Sequence, residues 1–228
     1  FFSTQRTGGT LVAETTPSLI TQNLVFHLDA ANSSSYSGSG TTWSDLSTNS
    51  NNATLTGPTF NSNNGGYFDF DGSNDHAITS SDMINPNSDF TFSTWVNSDS
   101  TITGTMVSDY SSQGALQIRF VDDGTVQIVD SYVINVGTFT NFTYSTGTWY
   151  NVVVTRSSNT YSLYINGVYK SNFTSTNSYS NGPQSIGTNY NGFERWNGKI
   201  SQIACYDTAL GATQVQQNFD ALKNRYGL

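Results

Sequence analysis

Retaining glycoside hydrolysis needs two carboxyl groups about 5 Å apart, one as nucleophile and one as acid. Residues two apart on a strand share a face, so a Glu-x-Asp-x-x-Glu spacing would supply such a pair. This chain has only two glutamates, Glu14 and Glu194. Glu14 falls in an N-terminal stretch outside the strand pattern, and Glu194 sits in a loop with no acidic neighbour. Asp69 and Asp71 do share a strand face. The competing reading makes them part of a rim and turn, and that reading is preferred. His27 and His76 lie far apart in the sequence, and no Gly-x-Ser-x-Gly elbow occurs. Cys205 falls within a strand, where a lone cysteine acts as a small buried hydrophobe rather than a nucleophile. The chain is therefore expected to have no catalytic residues and not to be an enzyme.

Sugar recognition asks for other groups: exposed aromatic platforms beside amides and hydroxyls, with few charges. The run Asn189-Tyr190-Asn191-Gly192-Phe193-Glu194-Arg195-Trp196 offers that mixture, with Tyr190, Asn191, Phe193 and Trp196 as candidate ligand-binding residues. Tyr36 and Trp43 form a second candidate platform in an earlier loop. The alternative is that these rings plug the ends of the fold, and for Trp43 and Trp196 it carries at least equal weight.

Such loops need a scaffold, and the composition points to strands. Charged residues are only 11% of the chain, against about 25% in an average soluble protein. Ser and Thr together supply 63 of the 228 residues and Asn another 25, so uncharged hydrogen-bonding groups cover most of the surface. Aromatic residues reach 14%, too many for a disordered polar chain. Thr, Val, Tyr and Phe favour strands, while good helix formers are scarce. Alternation marks strands at Leu24 to Leu28, Tyr67 to Phe70, Asp89 to Asn97, Leu116 to Phe120, Val126 to Asp130, Trp149 to Arg156, Tyr161 to Ile165, Val168 to Lys170 and Lys199 to Tyr206. Asp123-Gly124 and Asn166-Gly167 predict two-residue hairpin turns, whose central residues need positive φ. One helix is expected, at the end. Thr213 would cap it with Gln216 closing a capping box, and Val215, Phe219, Leu222 and Tyr226 would share a face that Gly227 ends. The expected architecture is all-β, a sandwich of two antiparallel sheets with one short C-terminal helix. Residues 1–23 read as an extended arm or tether, and residues 24–228 as one domain.

Charge excludes other classes. The net charge of −8 repels a phosphate backbone, and no Lys/Arg cluster appears, so no nucleic-acid partner is expected. No apolar run approaches the roughly 20 residues of a membrane span. The opening Phe1-Phe2-Ser3 has no basic leader, so no signal peptide is expected.

Several stretches, taken in order, resemble the laminin G-like branch of the concanavalin A-like lectin/glucanase superfamily. They are Gly66 to Asp75, Phe90 to Val96, Trp149 to Arg156 followed by Leu163 to Gly167, then Asn197 to Ile200, Tyr206 and Ala209-Leu210. The resemblance covers residues 24–228 and implies a jelly-roll sandwich with one concave sheet. It also implies a Ca²⁺ site at the sandwich rim, where Asp71 and Asp75 would supply carboxylates and the Asp-Gly turn carbonyl oxygens. Relatives often carry an acidic pair after Gly-x-Ile, and this chain has Ser201-Gln202 there, which weakens the calcium expectation. The fold alone does not set a function. The surface style resembles modules of tailed-phage particles. The expected role is a non-enzymatic, lectin-like virion component, a fibre or capsid decoration at the virion surface or outside the cell. It would bind a glycan or cell-surface polysaccharide, or join other assembly subunits through the N-terminal arm. A bacterial adhesin or filament subunit is the alternative, and a glycoside hydrolase is a third reading.

Overall fold

The period-two patterns become strands throughout. The computed structural model describes residues 17–109, 114, 116–130, 135–189 and 191–228. In chain order the strands are β1 (Leu24–Asp29), β2 (Thr42–Trp43), β3 (Ala53–Thr56), β4 (Thr59–Asn61), β5 (Tyr67–Asp71), β6 (His76–Thr79), β7 (Phe90–Ser98) and β8 (Gly104–Asp109). Then follow β9 (Leu116–Phe120), β10 (Val126–Asp130), β11 (Asn135–Phe139), β12 (Trp149–Ser157), β13 (Thr160–Ile165), β14 (Val168–Thr174), β15 (Gln184–Ile186) and β16 (Asn197–Tyr206). A single α-helix, α1 (Ala212–Leu222), closes the described elements with a short 3₁₀ turn at Lys223–Tyr226.

The strands form two antiparallel sheets. The first runs β14-β13-β12-β7-β16-β5-β4, and the second β11-β10-β9-β8-β15-β6-β3-β2. In the first sheet β16 is shared. One edge pairs with β7, while the other pairs with β5 through Asn197–Ile200 and with β1 through Gln202–Tyr206. A register shift between Ile200 and Gln202 leaves Ser201 outside the β7 ladder. Its buried hydroxyl donates to Gly66 O at 2.5 Å and accepts from the Tyr226 hydroxyl at 2.8 Å. Ser201 thus stands where relatives often carry an acidic residue, and an ionised carboxylate there could not donate to Gly66 O.

The turns separate two cases. Asn166 and Gly167 both have positive φ, 51° and 79°, and join Ile165 directly to Val168, as a two-residue hairpin requires. Asp123-Gly124 differs. Only Gly124 is left-handed, at 85°, and the N–H of Val121 still bonds Thr125 O at 3.0 Å. The loop is therefore Asp122-Asp123-Gly124, three residues with glycine in the left-handed position.

The sheets bury one core between them. Phe26, Phe68, Phe70, Phe90, Phe92, Ile118, Phe120, Ile128, Val152, Val154, Leu163 and Ile203 meet there. Strand β7 is buried on both faces, with Phe90, Phe92 and Val96 inward and Trp95 on the outer side. The C-terminal helix covers that outer side. Trp95 is stacked between Phe219 (centroids 5.7 Å apart) and Tyr226 (4.0 Å), both at 13° interplanar angle. Val215 packs on Val153, Ala204 and Tyr206 beside it. The apolar spacing predicted for the helix holds, but its cap lies two residues earlier. Gly211 is the N-cap, and its N–H bonds the Gln214 side chain at 3.0 Å, so Thr213 is inside the helix. Gly227, left-handed at 75°, ends the tail as expected.

Most of the arm, residues 1–16, lies outside the described residues. Residues 17–23 dock on the helix and β16. The Ile20 N–H donates to Asn218 Oδ1 at 2.8 Å, Ile20 O accepts from the Tyr206 hydroxyl at 3.0 Å, and Gln217 holds Ser18 O at 2.9 Å.

Where β1 ends, Arg225 grips Asp29 with two hydrogen bonds of 2.8 and 3.1 Å. His27 stands close by, with Nε2 buried and without a hydrogen-bond partner. Burial lowers its pKa below the usual 6.5, opposed by Asp29 and Asp45 and assisted by Arg225. A folded-state pKa below the unfolded one means that the unfolded chain takes the proton first. The contribution of His27 is therefore complete above pH 6.5 and lost progressively as the pH falls below it. The melting temperature should drop between pH 7 and 5, and His27→Gln should flatten that drop in calorimetric scans. Identical pH profiles for both proteins would rule His27 out as the cause.

Candidate functional site

Candidate residues separate by burial. Trp43 is fully buried and packs edge-on against Phe68 at 4.7 Å. Trp196 is 1% exposed and lies against Phe120 at 5.5 Å. Tyr36 is buried against Phe60 and Phe68, with its hydroxyl on Gly40 O. All three belong to the inter-sheet core, so the expected Tyr36/Trp43 platform and the Trp196 contribution are corrected: their faces are spent on packing. Tyr190 lies outside the described residues. Asn191 is exposed, and Phe193 is 68% exposed.

Phe193 is held firmly despite its exposure. The Asn189 side chain accepts from the N–H of Asn191 at 3.2 Å and of Phe193 at 2.8 Å. The Phe193 carbonyl in turn accepts from the Asn189 N–H at 3.1 Å and the Thr188 hydroxyl at 3.2 Å. The next residue, Glu194, adopts a left-handed φ of 50° and ties its carbonyl to the Thr105 N–H at 2.8 Å. That conformation is unfavourable for a residue with a Cβ and persists only where the surroundings impose it. Here the surroundings are an ion pair. The Glu194 carboxylate accepts hydrogen bonds from Arg119 and Gln117 on the outer face of β9. Gln117 also donates to Thr105 Oγ1 at 2.6 Å, and Arg119 to Gln127 on β10 at 3.1 Å.

Phe193, Glu194 and Arg195 line one side of a hollow of about 460 Å³, with Gly72-Ser73 and Ile102-Thr103 on the other. Ile102 is 75% exposed, so the cleft carries two apolar side chains in water beside hydroxyls and a guanidinium. The turn after β5 and the 189–196 loop, far apart in sequence, thus meet at one rim. A larger hollow, about 810 Å³, lies between Ser18, Val168 and α1, but its lining offers no aromatic face among the described residues.

Asp71 and Asp75 belong to that same turn, and one oxygen of each is used in it. Asp71 Oδ1 accepts from the N–H groups of Ser73 (2.7 Å) and Asn74 (3.4 Å), and Asp75 Oδ2 from the Asp71 N–H at 2.9 Å. Burial pushes the Asp75 carboxyl above its ordinary pKa; the Asp71 N–H opposes this, and the charges of Asp71 and Asp69 add to it. Calcium takes roughly six to eight oxygen ligands. Among the described residues no group of three His, Cys, Asp or Glu side chains is placed to hold a metal ion. Two carboxylates with one oxygen each already accepting within the turn fall short of that number by themselves. Melting with excess EDTA should match melting with millimolar Ca²⁺ within about one degree. A rise of several degrees with calcium, by the mass-action stabilisation that a bound ligand gives, would show that the turn holds the ion.

The other chemistry-bearing groups are also accounted for. Burial raises the Cys205 thiol well above its usual pKa, so it carries no thiolate. Asp69 faces the Lys199–Asp99 ion pair; burial raises its pKa, with Lys199 opposing and Asp99 adding. Sequence reasoning missed Arg119, Gln117 and Gln127. Their only signal is outward alternation along β9 and β10, which ordinarily marks a solvated face.

Among the described residues no helix is long and apolar enough to cross a membrane. No curated protein matches the chain. Solved structures share its fold. The sialidase of Trypanosoma rangeli in complex with sialic acid matches with a TM-score of 0.69 at 14% identity, over 91% of this chain and 34% of that one. The chain thus spans about a third of the sialidase. Domain 4 of AbnA, a GH43 extracellular arabinanase from Geobacillus stearothermophilus in complex with arabinotriose, matches at 0.66 and 20% identity, over 86% of this chain and 98% of that one. The HCR/D W1238A mutant matches at 0.67 and 14% identity, over 88% and 52%. At these identities the likeness is one of fold. The laminin G model of the concanavalin A-like lectin/glucanases superfamily matches residues 71–216, from the Asp-Gly turn to the C-terminal helix. That match covers well over half of the chain, and the protein belongs to the concanavalin A-like lectin/glucanases superfamily.

Proposed function

We propose that the chain is a non-enzymatic, lectin-like module that binds glycan at the rim cleft. The observation carrying this reading is Phe193: an exposed ring on a backbone pinned by Asn189, lining one cleft with Ser73, Thr103 and Arg195. An exposed aromatic face beside polar groups suits a sugar, whose C–H surface stacks while its hydroxyls find hydrogen-bond partners. The arabinotriose held by the AbnA domain supports this use of the fold. The uncharged Ser/Thr/Asn surface supports display outside a cell, and we assign the module to a virion, as a fibre or capsid decoration.

A glycan array followed by calorimetry on the retained oligosaccharides tests the binding. Phe193→Ala should weaken it about tenfold or more, with the melting temperature unchanged. Equal affinity of variant and parent would move the site elsewhere. The oligosaccharide should be recovered intact after prolonged incubation. Cleavage that stops on Asp69→Asn or Asp71→Asn would make the protein a hydrolase.

A further inference from the structure

The rim cleft carries one guanidinium that makes no ion pair among the described residues. Ion pairs among the described residues engage Arg119, Lys199, Lys223 and Arg225. Arg156 is held by Ser88 O and the Tyr161 hydroxyl. Lys170 and Arg195 take part in none of these pairs, and of the two only Arg195 has a buried side-chain nitrogen, Nη1, without a hydrogen-bond partner. Its side chain lines the cleft next to Phe193, and the Gly192 backbone lies close under the guanidinium. The cleft's carboxylate, Glu194, is already neutralised by Arg119. The carboxylates of the facing turn, Asp71 and Asp75, accept N–H hydrogen bonds within that turn and make no ion pair with Arg195.

A protein with so few cations gains little by leaving one unpaired in a half-sheltered cleft unless a ligand supplies the anion. A guanidinium matches a carboxylate with two parallel hydrogen bonds, and such bonds are the strong ones. Neutral sugars would find the stacking face but leave Arg195 uncompensated. We infer that the cleft takes a glycan bearing a carboxylate, a uronic or sialic-type acidic sugar, with Arg195 as its counter-charge and Phe193 beneath the ring. This inference rests on the glycan-binding reading above.

The test is an array holding acidic and neutral glycans in parallel, probed with the full chain. Retained glycans should be acidic. For the best of them, calorimetry should show Arg195→Gln weaker by about 10- to 100-fold, Arg195→Lys intermediate, and both variants melting with the parent. Methyl esterification of the ligand's carboxylate should reproduce the Arg195→Gln loss in the parent and cause no further loss in the variant. Retention of neutral glycans alone would overturn the acidic preference and leave glycan binding standing. Retention of nothing would overturn both. Acidic binding insensitive to Arg195→Gln would also overturn the assignment of Arg195.

Discussion

Trp95→Ala is expected to destabilise the protein by about 3–5 kcal/mol, the usual range for emptying a large buried aromatic site. Trp95 is 1% exposed and fills the space between the first sheet and the C-terminal helix. Two rings, Phe219 and Tyr226, lie flat on it, so the indole holds both the helix and the tail that follows it. The void left by alanine cannot close easily, because Tyr226 is also fixed through its hydroxyl to Ser201 and the adjacent Arg225 through Asp29. Urea denaturation at neutral pH measures the loss as a lower midpoint at an unchanged slope. Trp95→Phe should keep more than half of the stability. A loss below about 1 kcal/mol for the alanine variant would mean that the helix contributes little to the fold.

The second large effect is at the Arg119–Glu194 pair. The side chains are 11% and 23% exposed. Removing one partner of such a pair strands the other charge, at a cost of about 3–5 kcal/mol for fully buried cases. Partial exposure of Glu194 puts Glu194→Gln at the lower end, about 2–3 kcal/mol. Glutamine keeps the shape and the left-handed backbone demand but turns one of the two acceptors into an NH₂ facing a donor, so the loss combines the charge with one hydrogen bond. The double change Arg119→Met with Glu194→Gln should recover part of it, with a coupling of about 1 kcal/mol or more. Glu194 also anchors the loop that presents Phe193, so glycan affinity should fall in the single variant more than in Ser73→Ala. Additive losses in the double variant would show that the two residues do not act as a pair.

Much of the fold was legible because its signals are local. Strand β9 alternates Leu116, Ile118 and Phe120 against Gln117 and Arg119, and Asn166-Gly167 specifies its turn by backbone geometry alone. The strands that sequence reasoning passed over, β2, β3, β4, β6, β8, β11 and β15, are mostly short and carry small or polar residues such as Thr42, Ala53 and Ser185. Their strand character comes from partners across the sheet rather than from their own side chains. The site was legible in part for the same reason. The 189–196 loop announces itself by composition, but a sequence does not say which aromatic faces water. Phe193 points out and Trp196 in because β16 begins beside Trp196 and buries it against Phe120. Glu194 looks like a lone acid in the sequence, since its partner Arg119 stands 75 residues earlier, on β9.

The shared strand β16 has a consequence for how the chain reaches its native state. Residues 24–29 have no ladder until residues 202–206 exist, and β5, already paired with β4 on one edge, waits for 197–200 on the other. During synthesis β1 and one edge each of β5 and β7 therefore stay open until residues 197–206 have left the ribosome. Contacts of such long sequence separation slow folding, roughly to the millisecond-to-second range rather than microseconds. In that interval the open edges are templates for pairing with other chains. The scarcity of long apolar runs and the surplus of negative charge then act on the nascent chain as well as the finished one, keeping unfinished copies apart until the central strand arrives.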